Sequence, residues 1–241
     1  MTRESGSWLV SAGLLAAAAA GSLVALTRYW QPCAGSIGAI SFTDGCLVAM
    51  DEYAPPLIGQ DPASLVGALG LAASLASAAA WLVVLPTIRA GVAARALLAL
   101  PGLAAVAVAV WSATLAPGAD GVPGWTLVLL DLLVLPAALA LAALGLGGAR
   151  LVRYVLVLLA ATSAGVVHQV VDLTLALGLN QASWDSPPGS GVPTALAILA
   201  TAIATLVLWR TAGRAQSPTA SLPRDTSSGS GSPTIAVSLP S

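Results

Sequence analysis

Six apolar stretches, each about as long as a helix that crosses a bilayer, constrain this chain more than any other feature. A transmembrane helix takes roughly 20 apolar residues, and the six stretches cover residues 8–27, 63–88, 94–115, 125–147, 151–177 and 193–209. Only 8% of the 241 residues are charged, whereas about a quarter are charged in a soluble domain. The sequence therefore predicts an all-α, polytopic membrane protein in which six transmembrane helices form one domain, residues 1–213.

The first stretch resembles a secretory signal, because Arg3 precedes an alanine-rich run. Its apolar core of about 20 residues is longer than the 7–15 residues of a signal peptide. We therefore expect this helix to be retained in the mature protein.

The arginine distribution predicts the orientation, because cytoplasmic loops carry the excess of positive charge. All nine basic residues are arginine. If six helices alternate across the membrane, only Arg28 falls on one side, and the others fall opposite it: Arg3, Arg89, Arg95, Arg150, Arg153, Arg210, Arg214 and Arg224. We expect both termini in the cytoplasm, in the cytoplasmic (inner or plasma) membrane. Arginine without lysine, together with abundant alanine and glycine, is typical of a G+C-rich genome and suggests a bacterial source.

The longest predicted loop, residues 29–62, lies outside the cell in this topology and contains both cysteines, Cys33 and Cys46. Two cysteines in one extracytoplasmic loop predict a disulfide, which would stabilise the loop by roughly 3 kcal/mol. The alternative is a redox-active pair, but such pairs usually have the C-x-x-C spacing that lowers a thiol pKa. We expect a structural disulfide.

From residue 214 the composition changes, because residues 214–241 are rich in serine and proline and poor in large apolar side chains. Such a segment buries too little apolar surface to fold. We expect a disordered cytoplasmic tail.

Ionisable residues inside apolar stretches are the best candidates for a functional site, because they are costly in a bilayer. His168, the only histidine, and Asp172 lie four residues apart on one face of the fifth predicted helix, and Gln169 flanks them. Asp131 interrupts the fourth helix. Counted from the turn at Gly148, Asp131 and His168 differ in height by roughly 4 to 5 Å at 1.5 Å per residue. We therefore expect Asp131, His168, Asp172 and Gln169 to form one intramembrane polar cluster.

Three interpretations of this cluster are open. In the first, Asp131 and His168 hold a helix hairpin in register. In the second, the cluster is a proton or cation relay in a small secondary transporter. In the third, His168, Asp172 and Asp131 bind a metal ion in an outward-facing, membrane-embedded enzyme, although catalytic zinc sites usually contain more histidine.

The sequence lacks the common catalytic motifs, such as H-E-x-x-H and G-x-S-x-G, and it has no nucleotide-binding P-loop. The net charge of −1 gives no overall basicity that would indicate binding to nucleic acid. We therefore expect a non-enzymatic accessory or interaction subunit that has no catalytic residue or cofactor and does not bind nucleic acid or nucleotide. Its expected partners are the lipid bilayer and either another membrane protein or further copies of itself.

Overall fold

The computed structural model describes residues 3–35, 42–53, 60–115, 123–179 and 187–215, and this part of the chain contains α-helices and short 3-10 turns but no strand. The all-helical fold is thus confirmed. The helices are α1 (Arg3–Tyr29), α2 (Asp44–Asp51), α3 (Leu65–Val84), α4 (Val92–Thr114), α5 (Gly124–Ala143), α6 (Gly148–Ala161), α7 (Val166–Leu179) and α8 (Val192–Ala215). The predicted tail beyond residue 215 and the central parts of several loops lie outside the described residues.

Five of these helices, α1, α3, α4, α5 and α8, are each long and apolar enough to cross a membrane. Helices α6 and α7 meet the same test only when taken together, as a pair bent by 81°. The described residues therefore contain five helices that could cross a membrane, or six candidate spans if the bent pair counts as one, which indicates a multi-pass membrane protein.

The fifth predicted helix, 151–177, is not continuous, because it is broken between Ala161 and Val166. At the break the Thr162 hydroxyl donates to the Leu158 carbonyl at 3.0 Å, and serine and threonine side chains that bond the backbone in this way weaken a helix. The Gly165 amide closes a turn by donating to the Thr162 carbonyl at 2.9 Å. The sequence Thr-Ser-Ala-Gly thus ends one helix and permits a second to start in a new direction.

The fourth predicted helix, 125–147, ends early, because α5 stops at Ala143. Gly145 has φ of 65°, a left-handed conformation that glycine adopts without strain and that commonly terminates helices. A short connection then leads to α6, which begins at Gly148.

The centre of the bundle is α1, which packs against α3 and α8, and α3 in turn packs against α4 and α6. Leu15, Trp81, Leu98 and Leu158 are fully buried in this core. The Trp81 indole N–H donates to the Leu98 carbonyl at 2.7 Å, so the largest core side chain has no unsatisfied polar atom.

One end of the bundle, which we call the arginine end, is built around the start of α1 and the start of α6. The Arg153 guanidinium lies 4.8 Å from the centre of the Trp8 ring, and that ring is 4.9 Å from the ring of Tyr154. The Tyr154 hydroxyl hydrogen-bonds Thr87, just after α3, at 2.7 Å. Cation–π and aromatic contacts therefore join α1 to α6 at this end, and a hydrogen bond ties α6 to the segment that follows α3.

The opposite end, which we call the disulfide end, contains the Cys33–Cys46 bond, whose Cα atoms are 4.7 Å apart. Both cysteines are fully buried, and the predicted pairing is confirmed. The Trp30 indole donates to the Ser190 carbonyl, just before α8, at 3.0 Å. The aromatic rings of Tyr29, Trp30 and Tyr53 pack against one another beside it. Since Trp30 follows α1 and Ser190 precedes α8, these two helices are antiparallel.

Candidate functional site

Asp172, on α7, binds the beginning of α8. One carboxylate oxygen accepts from the Gly191 amide at 2.5 Å, and the other accepts from the amide and the hydroxyl of Thr194, each at 3.0 Å. The first amides of a helix have no partner within it, and a negative charge there is favoured by the helix dipole. Asp172 therefore supplies the N-terminal cap of α8 from a neighbouring helix, and its side chain is only 3% exposed.

Asp131, on α5, does the same for α7. Its carboxylate accepts from the Val167 amide at 2.9 Å, in the first turn of α7. Gly165 makes this approach possible, because a Cβ atom at that position would collide with the Asp131 carboxylate. The helix break and the carboxylate therefore depend on each other, since Asp131 binds an amide that a continuous helix would have used internally.

Gln169 completes the backbone hydrogen bonding at the break. Its side-chain amide donates to the Ala164 carbonyl at 2.8 Å. A carbonyl that has lost its helical partner is thereby satisfied, as polar groups in a membrane require. Gln169 is thus a local brace of the turn.

His168 lies two residues into α7 from the break, close enough to Asp131 for an electrostatic interaction. Its Nδ1 atom is buried and has no hydrogen-bond partner, and the Asp131 oxygen is bonded to the Val167 amide. The imidazole instead lines a cavity of about 170 Å³ between α6, α7 and α8. The structure thus places Asp131 beside the segment that carries His168, with the backbone as its hydrogen-bond partner.

The four predicted residues are therefore distributed over two helix ends. Asp131 and Gln169 serve the start of α7, and Asp172 serves the start of α8. Among the described residues, no three His, Cys, Asp or Glu side chains are grouped so that they could hold a metal ion.

A second, smaller cavity of about 20 Å³ was not foreseen from the sequence. It has room for about one water molecule. Its lining is rich in hydroxyl groups, from Ser22, Ser74, Ser77, Ser163, Thr194 and Tyr53, and includes Gln169. Ser74 and Ser77 lie three residues apart on α3, a spacing that puts both on one face. This spacing was the one feature of the sequence that could have indicated the polar cavity.

Tyr53 closes this small cavity at the disulfide end. Its hydroxyl is buried without a hydrogen-bond partner, and it lies so near Gly191 that a Cβ there would collide with it. Burial raises the pKa of Tyr53 well above its usual value, and the negative charge of Asp172 raises it further. Tyr53 therefore remains a neutral phenol that could donate a hydrogen bond into the cavity.

We predict that Asp131→Ala and Gly165→Ala each lower the free energy of unfolding by about 1–2 kcal/mol, because each removes the bond between the carboxylate and Val167. In the double variant the losses should fall short of additivity by about 1 kcal/mol, since both act on one contact. The measurement is unfolding in mixed micelles, followed by tryptophan fluorescence.

The matched control is Gly178→Ala, also on α7, where an added Cβ meets nothing within 4 Å. It should leave the midpoint of unfolding nearly unchanged. Fully additive losses in the double variant would show that Gly165 does not act through Asp131.

Comparison of the chain with protein-family models, with characterised proteins and with solved structures found no significant match, so its function has to be inferred from the site itself.

Proposed function

We propose that this chain is a non-enzymatic accessory or interaction subunit of a bacterial cytoplasmic membrane. The observation that carries the proposal is the use of both intramembrane carboxylates as helix caps. Asp172 accepts three hydrogen bonds from the start of α8, and Asp131 accepts one from the start of α7. Groups committed to the backbone in this way are suited to holding a scaffold together.

The carrier interpretation asks more of these residues. A proton or cation relay requires its carboxylates to exchange partners during each cycle, as intramembrane acids do in pumps and transporters. Here protonation of Asp172 would leave its carboxyl group with less capacity to accept hydrogen bonds from Gly191 and Thr194. The attachment of α8 would therefore weaken. The geometry therefore favours the subunit over the carrier.

The proposed orientation has both termini in the cytoplasm. Two observations support it. Arg153 lies at one end of the bundle with Trp8, and the disulfide lies at the opposite end. Disulfides persist in oxidising compartments outside the cytoplasm, and positive charge is retained inside. Arg28, the exception, is in the last turn of α1, where the helix dipole favours a cation.

The surface that we assign to a protein partner is the outer face of α7. This helix leaves the direction of α6 by 81° and packs against α5 and α8. Its side chains Val167, Val170 and Val171 are each more than half exposed. A rigid aliphatic face set at an angle to the long helices would fit between helices of a second membrane protein or of another copy.

A photo-crosslinking amino acid at Val170 tests this assignment in native membranes. The matched control position is Val10 on α1, which is exposed to a similar extent, 52% against 56%. We expect one protein adduct of defined mass from position 170, in several-fold higher yield than from position 10. An adduct of twice the chain mass would identify a second copy, and any other single mass a different subunit.

Lipid adducts alone, or the same protein adducts from both positions, would contradict the proposal. Irradiation of purified protein in lipid nanodiscs, without other membrane proteins, supplies the background of lipid labelling at each position.

A further inference from the structure

The cavity of about 170 Å³ at His168 has the composition of a binding site for a small lipophilic molecule. Most of its wall is apolar, and His168, Ser163, Thr194 and Thr201 supply the polar groups. The apolar lining residues are Leu156, Leu159, Ala160, Ala197 and Ile198. Pockets with mostly apolar walls and a few convergent polar groups are the usual form of small-molecule sites.

The pocket opens sideways between α6 and α8. Leu159 and Ala197, both in its wall, are exposed at the surface of the bundle, whereas Ala160 and Ile198 are buried behind them. Helix α8 is long and apolar enough to cross a membrane, and α6 meets that test together with α7, so a mouth between α6 and α8 would face hydrocarbon. A ligand would therefore enter from the bilayer.

The polar side of the pocket contains unused hydrogen-bonding capacity. The His168 Nδ1 atom is fully buried without a partner, so a ligand in the pocket that His168 lines would reach the imidazole through its other ring nitrogen, Nε2. The hydroxyls of Ser163 and Thr201 line the same space, and both residues are buried. A neutral imidazole nitrogen and a hydroxyl can each donate or accept, so a hydroxyl or carbonyl group would find a partner here.

We infer that this pocket binds a bilayer-soluble molecule that has one hydroxyl or carbonyl group on a single ring or a short chain. Volume limits the buried part, because an engineered apolar cavity of about 150 Å³ binds benzene. The polar group pairs with His168 and a neighbouring hydroxyl, and the apolar part lies against Leu159 and Ile198. This function is independent of the protein-partner surface on α7.

The test uses the full-length protein in lipid nanodiscs with ¹⁵N-labelled histidine. Because the chain contains a single histidine, the ring-nitrogen NMR signals report His168 alone. Phenol is the probe and toluene, in which a methyl replaces the hydroxyl, is its matched control. We expect a saturable shift of the Nε2 signal with phenol, and apparent binding about three- to tenfold tighter than with toluene, the difference made by one hydrogen bond.

Ala197→Phe, which fills the mouth of the pocket, should abolish the saturable shift. Leu196→Phe adds a ring at the neighbouring exposed position, which does not line the pocket, and should bind phenol as the wild type does. A phenol shift that grows linearly without saturation, or one that persists unchanged in Ala197→Phe, would show partition into lipid only and overturn the inference. Equal affinities for phenol and toluene in the wild type would contradict the proposed hydrogen bond to His168. This comparison requires no variant.

Discussion

Asp172→Ala is expected to lower the free energy of unfolding by about 3–5 kcal/mol. It leaves three donors on Gly191 and Thr194 without their acceptor, and each unsatisfied buried donor costs about 1–3 kcal/mol. Asp172→Asn keeps the shape but has only one acceptor oxygen, so it should lose roughly half as much. Unfolding in mixed micelles, followed by tryptophan fluorescence, measures both.

The matched control for Asp172 is Thr174→Val on the same helix. Thr174 is exposed, and its hydroxyl bonds the Val170 carbonyl within α7, so its replacement should change stability by less than about 0.5 kcal/mol. Thr194→Val removes only one of the three donors and should cost about 1 kcal/mol. If Asp172→Ala were no more harmful than Thr194→Val, the carboxylate would not be the principal cap of α8.

Breaking the Cys33–Cys46 bond is expected to cost about 3 kcal/mol, the loop-entropy value for a closed loop of this length. The sequence separation is 13 residues. Because Trp30 bonds the Ser190 carbonyl, loosening this segment should also increase hydrogen exchange at the start of α8. The measurement compares Cys33→Ala/Cys46→Ala with wild type, by unfolding and by hydrogen exchange.

Reduction of the wild-type protein provides a version of this experiment without substitutions. Complete reduction, verified by mass, should reproduce the loss seen in the double variant, and the reductant should have no effect on the variant itself. An unchanged midpoint of unfolding after complete reduction would show that the aromatic contacts of Trp30 and Tyr53 suffice to hold the disulfide end.

The membrane spans could be predicted from the sequence because length and apolar composition determine them locally. The break between α6 and α7 could not, because the small residues at 162–165, Thr-Ser-Ala-Gly, also occur inside continuous membrane helices. The carboxylate of Asp131, on another helix, favours the break because it accepts a hydrogen bond from the freed Val167 amide. A contact of that kind is not contained in any local window of the sequence.

The counting that placed Asp131 near His168 assumed a straight helix and side-chain pairing. The predicted similarity in height was close to what is observed, since Asp131 lies beside Gly165 and Val167. The donor is a backbone amide, however, and such amides become available only where the helix is broken. For Asp172 a signal was present. Pro193 in the first turn is typical of a helix start, and the amides that follow such a start need an acceptor. Asp172 was the nearest acid in the preceding helix.

In both caps the acid is synthesised before its donors. Val167 follows Asp131 by 36 residues, and Gly191 follows Asp172 by 19. At 5–20 residues per second, these intervals last roughly 2–7 s and 1–4 s, during which an uncapped carboxylate is costly in hydrocarbon. We therefore expect α5 to remain at the insertion machinery until α7 emerges, and α7 until α8 emerges, so that these helices enter the bilayer as one unit.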